Sequence, residues 1–444
     1  MTAEPEQSLL ARRLQQLKPT IDPVARRFAD AGFRLYLVGG IVRDLQLAGS
    51  PGAGGGSSGD PTAVADFDVG FDIDFTTDAR PPDIKSLLAP LATAVWTQGE
   101  RFGTIGASVK GNDLEITTHR AERYDPESRK PVVSFGDELR EDLSRRDFTI
   151  NAMAIEVPGD ELHDPYHGSA DLESRVLRTP LSPEVSFTDD PLRMMRAARF
   201  VSRFNLSVDP AVMEAATTLA SRIEIVSVER VADEIERLLR VDDPAAGLDF
   251  LRTTGLLSLA VVKMSDEEEG LASLLAAAGN AQDHNGVLAR RAGLLWSSDV
   301  RSVLSRLRYS NDDRKSTSSL VLAVRDWIDG QHTSLAAGRR LLSRTGSPNA
   351  ALALATNLAA HHSDENVVSS ANELVGVINE LRENDDTGPY VSPLSGSQIM
   401  KTLEIPPGPV VGSAQKFLSS HRLDHGPFGA EEAAEILRRW HRNL

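Results

Sequence analysis

The chain has 444 residues, of which 41% are hydrophobic and 25% are charged, with a net charge of −16 and no cysteine. These values are typical of a globular protein of about two to four domains, and the lack of cysteine excludes disulfides and thiolate metal sites. No apolar stretch reaches the roughly 18 residues that a membrane span needs, and the acidic first residues lack a signal peptide's apolar core, so we expect a cytoplasmic protein without a membrane partner.

The N-terminal part is predicted to begin with a helical segment over residues 1–30. A short apolar strand, Leu35–Val38, then ends in Gly39 and Gly40, and a short helix follows over residues 41–47. Bare glycine backbone between a strand and a helix N-terminus can approach phosphate oxygens closely. A Gly-Gly pair is also commonly a turn and nothing more, so this signal is weak alone.

Residues 49–61 form a glycine-rich, low-complexity loop, and the segment after them alternates acidic and apolar residues. From Asp66 to Asp74 every even position is Asp except Gly70, and every odd position is apolar. Because alternate side chains of a strand share a face, one face is predicted to join the core while the other carries clustered carboxylates. Such a cluster repels itself and favours a bound cation such as Mg²⁺; the alternative is an exposed acidic edge strand.

The remaining elements divide the chain into a mixed α/β part and a helical part. A helix over residues 81–91 and strands over 104–109, 113–118 and 149–157 are predicted first, and the segment between Arg120 and Arg145 is expected to be a flexible loop. From Asp160 onward, the spacing of apolar residues is helical. The predicted helices there are residues 191–204, 228–240, 288–296, 317–329, 350–360 and 430–441.

The net negative charge argues against a nucleic-acid partner, but local clusters of cations matter more than the sum. Four arginines lie on one broad stripe of the helix predicted over residues 191–204. They are Arg193, Arg196, Arg199 and Arg203. This stripe is either a basic binding surface or a solvated, salt-bridged helix face.

Read together, the glycine pair and the carboxylate strand predict a reaction class. A phosphate-binding turn followed by an Asp-x-Asp pair is the minimum for nucleotidyl transfer. In that reaction two cations about 3.5–4 Å apart activate the attacking hydroxyl and neutralise the leaving pyrophosphate.

Five motifs in this order resemble the head of the class II tRNA nucleotidyltransferases (CCA-adding enzymes) and the related bacterial poly(A) polymerases. They are residues 37–44 around Gly39-Gly40, 72–79 beginning Asp72-Ile73-Asp74, 101–104, 115–120 beginning at Glu115, and 145–154 beginning Arg145-Arg146-Asp147. The similarity continues at residues 189–193 and 229–234 and returns in part at residues 405–412.

The resemblance implies an α+β fold, in which a nucleotidyltransferase-type mixed β-sheet head precedes an all-α neck, body and tail. The expected domains are the N-terminal helical segment, the catalytic head, the neck with a base-reading helix, the body, and a tRNA-binding tail, over residues 1–30, 31–158, 159–260, 261–388 and 389–444.

The resemblance also implies that Asp72 and Asp74 hold the catalytic metals, taken to be Mg²⁺, with Ile73 buried on the opposite face of the strand. Asp66 and Asp68 are the competing pair, but the motif residues that characterise the family follow Asp74 directly. Glu115 is a candidate third catalytic carboxylate; the alternative is an exposed glutamate on a strand.

Several residues are implied in nucleotide binding. Asp147 resembles the family's ribose contact, since a carboxylate can accept hydrogen bonds from both hydroxyls, and Arg146 would steady phosphates. Arg43 would orient the triphosphate, although with Asp44 it can equally form a structural ion pair. The remaining candidates of this group are Gly39, Gly40, Asn151, Arg196 and Arg199.

Asp190 and Arg193 are three residues apart on a helix and therefore share a face. Cytosine and adenine place an amino donor beside a ring-nitrogen acceptor, and a carboxylate with a guanidinium matches that edge, whereas guanine and uracil present the reverse order. In the alternative interpretation, Asp190 before Pro191 only caps the helix. Asp189 departs from the family, which usually has Glu there.

The helix containing Glu229, Arg230 and Glu234 resembles one that supports the base-reading helix in this family. The alternative is an ordinary amphipathic helix.

The leading hypothesis is template-independent addition of C and A to the 3′ end of tRNA from CTP and ATP, with the helical part binding the acceptor arm. A poly(A) polymerase or a partial CC-adding or A-adding enzyme is the second hypothesis, and an RNA-binding protein with a lapsed active site is the third. The sequence predicts no oligomeric state.

Overall fold

The computed structural model describes residues 9–47, 73–123, 132–135, 138–261, 264–279 and 283–443. The chain forms two compact units, Met1–Arg222 and Ile223–Leu444. Among the described residues, no helix combines the length and the apolar character needed to cross a bilayer. The boundary at Arg222 falls inside the expected neck, and the five-part division stays a prediction.

The first unit contains all the strands among the described residues. In chain order they are β1 (Leu35–Val38), β2 (Ile73–Thr77), β3 (Ala94–Trp96), β4 (Thr104–Val109), β5 (Asn112–Thr118), β6 (Arg120–Arg123), β7 (Val132–Phe135), β8 (Ala154–Val157), β9 (Leu162–His163), β10 (Val176–Leu177) and β11 (Ser207–Val208). Its helices are α1 (Leu9–Asp30), α2 (Gly40–Leu47), α3 (Pro81–Leu88), α4 (Leu139–Ser144), α5 (Gly168–Ser174), α6 (Pro183–Asp189), α7 (Leu192–Phe204) and α8 (Pro210–Leu219).

Seven of these strands form one mixed sheet in the order β3-β4-β5-β2-β1-β8-β9. Strands β2 and β5 run parallel, and the other neighbours in the sheet are antiparallel. Alternation of side chains gives the sheet two different faces. Leu35, Leu37, Ile73 and Phe75 on one face are buried in a core shared with α1, α2 and α3. The opposite face carries Asp74 and also a smaller buried cluster that includes Tyr36, Val38 and Ala154.

Two expectations for this unit were wrong. Residues 149–157 are not one strand: Thr149–Asn151 is a turn of 3₁₀ helix, because Thr149 Oγ1 donates to Asp171 (2.7 Å) and Asn151 Nδ2 donates to Asp147 (2.9 Å). The described parts of residues 120–145 contain the antiparallel pair β6–β7 and helix α4 rather than only a loop.

The second unit is helical throughout its described residues. Its helices are α9 (Val228–Leu239), α10 (Ala245–Thr253), α11 (Leu256–Ala260), α12 (Asp266–Ala277), α13 (His284–Leu294), α14 (Val300–Arg306), α15 (Asn311–Gly330), α16 (Leu335–Thr345), α17 (Pro348–His361), α18 (Glu365–Glu383), α19 (Gly396–Leu403), α20 (Pro409–His425) and α21 (Ala430–His441). Helices α13 and α15 begin earlier than apolar spacing predicts, because Asp283 and Ser310 cap them by accepting backbone N–H bonds.

The last three helices have a small core of their own, which includes Leu418 and Leu437. A buried acid joins this part to the preceding helices. Asp386 is 1% exposed and pairs with Arg339 (2.6 Å) and with Arg422 (2.5 Å) on α20. The segment between α18 and α19, which includes the expected boundary between body and tail, thus contains a point of attachment.

Candidate active site

The glycine turn after β1 lies directly against an arginine. Gly39 has φ +76°, a left-handed conformation that favours glycine, and a Cβ there would lie 2.8 Å from Nη1 of Arg146. Gly40 begins α2, and a Cβ there would lie 3.4 Å from Nη2 of Arg43. Backbone amides at a helix start beside two guanidinium groups can bind an anion such as a phosphate chain.

Two predicted catalytic carboxylates are direct neighbours across the sheet. Asp74 on β2 and Glu115 on β5 are paired in the parallel register. Ile73 and Phe75 point to the core on the other face, which leaves Asp74 partly exposed and Glu115 exposed. Asp72, and with it the competing pair Asp66 and Asp68, lies outside the described residues.

The same register brings the carboxylates close to the glycine turn. Leu37 of β1 is opposite Phe75 of β2 in an antiparallel pair, so the next position along, Val38, falls opposite Asp74. Gly39 follows Val38 immediately. The carboxylate face and the glycine turn therefore meet at one end of the sheet, and the binding of phosphate there stays a prediction.

The chemistry of these donors suits a divalent cation. Two carboxylates side by side on neighbouring strands repel each other, and such a pair is unfavourable without a cation. Carboxylate oxygens are the hard ligands that divalent ions such as Mg²⁺ and Ca²⁺ take. Asp74 and Glu115 fit such an ion, and the Asp-x-Asp spacing would add Asp72.

A cavity of 280 Å³ adjoins Glu115, with Trp96, Phe102 and Gly106 among its lining residues. Trp96 and Gly106 are opposite each other on β3 and β4, and a Cβ at Gly106 would lie 1.8 Å from the indole Nε1. Only glycine leaves room for the indole over β4. Sequence reasoning missed this aromatic wall, although Gly106 inside a strand was an available signal of close packing.

A hydrogen-bond chain links the glycine turn to helix α7. Arg43 donates from Nη1 to Asn151 Oδ1 (2.5 Å), and Asn151 Nδ2 donates to Asp147 Oδ1 (2.9 Å). Asp147 Oδ2 accepts from Nε (2.9 Å) and Nη2 (2.5 Å) of Arg196 on α7. The ion pair of Arg43 with Asp44 also forms, at 2.8 Å, so the two interpretations of Arg43 are compatible.

Asp147 is fully engaged by protein donors. Oδ1 accepts from Asn151 and from the backbone N–H of Phe148 (2.9 Å), while Oδ2 accepts twice from Arg196. A carboxylate has about four acceptor positions, and these bonds fill them. Burial raises the pKa of Asp147, but Arg196 and the hydrogen bonds outweigh burial and hold the pKa below its usual value. In this arrangement Asp147 orients Arg196 and Asn151, and its contact with a ribose stays a prediction.

The pair expected to read the base sits where α6 ends and α7 begins. Asp190 Oδ1 accepts from the backbone N–H of Leu192 (3.2 Å), which is the bond of a helix cap. Arg193 donates from Nη1 to Ser186 Oγ (2.8 Å) and from Nη2 to the Arg145 carbonyl (2.5 Å). Both interpretations of Asp190 therefore stay open, and Arg193 additionally fixes α7 to the segment that carries Asp147.

One face of α7 packs on the site with both charge and aromatic rings. Phe200 makes an edge contact with Phe148, with ring centroids 5.5 Å apart. The guanidinium of Arg43 lies 4.3 Å from the ring centroid of Phe204, a cation–π distance. Burial lowers the pKa of Arg43, and Asp44 partly offsets this. Arg199 is only 7% exposed and lies over Phe200 at 4.5 Å, so it is not part of a solvated face.

Sequence reasoning missed a second support of the site. Asp164 accepts the backbone N–H groups of Gly168 (2.7 Å) and Ser169 (2.9 Å) at the start of α5. A Cβ at Gly168 would lie 2.2 Å from the carbonyl oxygen of Thr149, so only glycine lets α5 pack on the 3₁₀ turn. Asp171 on α5 accepts from Thr149, as noted above. An aspartate shortly before a helix, such as Asp164 before α5, is a sequence signal that could have indicated this support.

The helix expected to support the base-reading helix is α9, in the second unit. Glu229 pairs with Arg308, and Glu234 is 4% exposed. A buried glutamate is more than an ordinary amphipathic face requires. The supporting role of Glu229, Arg230 and Glu234 stays a prediction.

Known proteins are similar to this chain in sequence and in fold. Residues 35–178 match the poly A polymerase head domain, and residues 205–260 match a probable RNA and SrmB-binding site of polymerase A. The CCA-adding enzyme of Lactiplantibacillus plantarum is 35% identical over 60% of this chain and 59% of its own length. That of Lacticaseibacillus paracasei is 37% identical over 52% of each. The chain thus spans between half and three fifths of the length of these curated relatives.

Solved structures are similar over nearly the whole chain. The Bacillus stearothermophilus CCA-adding enzyme in complex with CTP has a TM-score of 0.68 at 24% identity, covering 96% of this chain and 98% of that one. The Thermotoga maritima CCA-adding enzyme complexed with tRNA has a TM-score of 0.62 at 19% identity, covering 97% of each. At these identities the likeness establishes the fold.

The fold is thus α+β, a nucleotidyltransferase-type head with a mixed sheet followed by helices, as expected. Residues 35–178 match the head of the poly(A) polymerase family and the chain is similar to CCA-adding enzymes, which agrees with the resemblance seen in its motifs. A nucleotidyltransferase head of this type implies dependence on a divalent metal ion.

Proposed function

We propose that the protein adds C and A nucleotides to the 3′ end of tRNA, from CTP and ATP and without a template strand. The observation that supports this most directly is the meeting of the Gly39 turn, Arg146 and the Asp74–Glu115 pair at one end of the sheet. CCA-adding enzymes with the same fold have been solved with CTP, with ATP and with tRNA. We place the protein in the cytoplasm, where tRNA is processed.

In the proposed reaction the 3′-terminal hydroxyl of the RNA attacks the α-phosphorus of the nucleotide. A phosphodiester bond forms, the bond to the β-phosphate oxygen breaks, and pyrophosphate leaves with the electron pair. Asp72, Asp74 and Glu115 would hold Mg²⁺, which when bound favours the ionised hydroxyl and neutralises the charge of the leaving group. The amides of the Gly39 turn and the Arg146 guanidinium bind the triphosphate in line with this attack.

The nucleotide is selected by helix α7. Asp190 accepts from the amino group of cytosine or adenine, and Arg193 donates to the neighbouring ring nitrogen. Arg193 is held for this role by Ser186 and the Arg145 carbonyl, and its other N–H groups would donate to the base. Asp147 keeps Arg196 and Asn151 in place, so that the base-reading helix and the triphosphate turn move together.

The growing RNA end takes the cavity beside Glu115. Its 280 Å³ volume suits a nucleoside, and Trp96 with the 44% exposed Phe102 offers ring faces on which a terminal base can stack. The rest of the tRNA is held through its shape and its phosphates by the helical part, which includes the region over residues 205–260.

The test is to offer each NTP singly to three RNAs: tRNA lacking CCA, tRNA ending in CC, and a generic RNA. We expect C to be added to the first, A to the second, and neither G nor U to any. Addition of A alone to generic RNA would instead establish a poly(A) polymerase, the alternative that the match to a polymerase head favours. Addition to only one tRNA end would establish a partial enzyme.

A further inference from the structure

The second unit contains a pocket of 560 Å³ formed by helices α14, α15 and α16. Four cationic side chains line it, together with two serines and no acidic residue. They are Arg301, Arg314, Lys315 and Arg344, with Ser318 and Ser319. Positions 314 and 318, and likewise 315 and 319, are one helical turn apart on α15, so these side chains share one side of the helix.

The charge of this pocket is not neutralised within the described part of the chain. Arg344 pairs with Asp326 at 2.7 Å, but Arg301, Arg314 and Lys315 make no ion pair with a described residue. By contrast, the buried Arg291 of the same unit bonds Glu236, Asp313 and Thr317. In a chain with net charge −16, a local cluster of cations without acidic partners favours binding of an anion.

We propose that this pocket, here called the α15 pocket, binds consecutive phosphates of the RNA backbone. The proposal rests on the proposed function and adds to it a tRNA contact beyond residues 205–260. Arginine forks and serine hydroxyls donate to phosphate oxygens. No aromatic side chain lines the pocket, so it offers no surface for stacking bases, and the contact is independent of sequence. Its volume of 560 Å³ suits more than one phosphate of a continuous chain.

The test removes two of the cations in the full-length protein. Arg314→Ala with Lys315→Ala is expected to weaken binding of a fluorescent acceptor-arm RNA about tenfold at moderate salt, and to reduce the slope of log K against log salt by about two. In nucleotide addition, KM for tRNA should rise while kcat and KM for CTP stay unchanged. Both residues are exposed, so thermal unfolding should be unaltered.

The matched control carries the same loss of charge at another place on the unit. Arg306→Ala with Arg382→Ala removes two exposed arginines outside both the pocket and residues 205–260, and we expect a smaller change in both RNA affinity and salt slope. Equal effects of the two double variants would show that only net charge matters and would overturn the α15 pocket.

A free polyphosphate has the same chemistry as an RNA backbone, so a second arm separates the two. Calorimetry with tripolyphosphate and with CTP should give the same binding for the wild-type protein and for the double variant. If tripolyphosphate binding is lost in the variant while RNA affinity is kept, the pocket is a small-anion site and the proposal is wrong. The binding of the fluorescent RNA does not depend on catalysis. If the wild-type protein binds RNA through the α15 pocket but adds no nucleotide, the proposed function is refuted and the α15 pocket is not.

Discussion

Asp147 and Arg196, 49 residues apart in the sequence, form an ion pair in which Nε and Nη2 of Arg196 both donate to Oδ2 of Asp147. Through Asn151 and Arg43 the same carboxylate is connected to the glycine turn after β1. The helix expected to read the base and the turn expected to bind the triphosphate therefore belong to one hydrogen-bonded network. Changes within this network should alter selection and catalysis together, whereas changes outside it should not.

Gly39→Ala should impair nucleotide use beyond its effect on stability. The left-handed φ of +76° costs an alanine about 1 kcal/mol, and the new Cβ would also push on Arg146, 2.8 Å away. We expect KM for CTP to rise at least tenfold in steady-state kinetics. Gly32→Ala is the matched control, because Gly32 has φ +83° but nothing within 4 Å of a Cβ. If both variants lose stability and neither alters KM, the turn has no role in binding triphosphate.

Asp74→Asn should abolish chemistry while leaving RNA binding intact. Removing a metal-holding carboxylate costs several kcal/mol in the transition state, or roughly a thousandfold in kcat. Glu115→Gln should act in the same direction. Asp30→Asn is the control, because Asp30 is exposed at the end of α1, which packs on the opposite face of the sheet from Asp74 and Glu115. Single-turnover incorporation measures the first effect and a filter-binding assay measures the second; normal incorporation by Asp74→Asn is incompatible with the proposed site.

The sequence was sufficient for those parts of the site that depend on local pattern. Alternation of apolar and acidic residues predicted both the strand with Asp74 and its buried face with Ile73 and Phe75, which the structure confirms. The turn at Gly39-Gly40 and the helix after it were also correct. In each case the period of side chains along one element decides the outcome, and no distant partner intervenes.

Long-range partners explain what the sequence could not predict. Residues 149–157 have strand-like composition, but the side chains of Thr149 and Asn151 find hydrogen-bond acceptors that favour a 3₁₀ turn. The engagement of Asp147 by Arg196 depends on the packing of α7 against the head segment, which no motif reports. The wall formed by Trp96 over Gly106 likewise requires knowledge of strand register.

Asp147→Asn should destabilise the protein and make its stability depend less on pH in the acidic range. The pKa of Asp147 is lower in the folded protein than in the unfolded chain, so the ionised carboxylate stabilises the fold at pH values above its unfolded-state pKa of about 4. This stabilisation is lost as the pH falls through the pKa of Asp147 in the folded protein. Breaking a buried ion pair costs about 3 kcal/mol. Urea unfolding should therefore show a lower free energy of unfolding for the variant than for the wild type at pH 7, and a smaller difference between the two at pH values below 4. Asp249→Asn breaks only an exposed pair with Arg252 and should cost less than about 1 kcal/mol.

Two substitutions at Asp190 separate base reading from helix capping. Asp190 Oδ1 accepts from the Leu192 N–H, a bond that a serine hydroxyl can replace but an alanine cannot. Asp190→Ala should therefore lose about 1 kcal/mol of stability, and Asp190→Ser should restore most of it. If the carboxylate reads the amino group of C and A, both variants should lose discrimination against G and U in kcat/KM. Competition between CTP and UTP on tRNA lacking CCA measures this directly, and full selectivity in Asp190→Ser would reduce Asp190 to a cap.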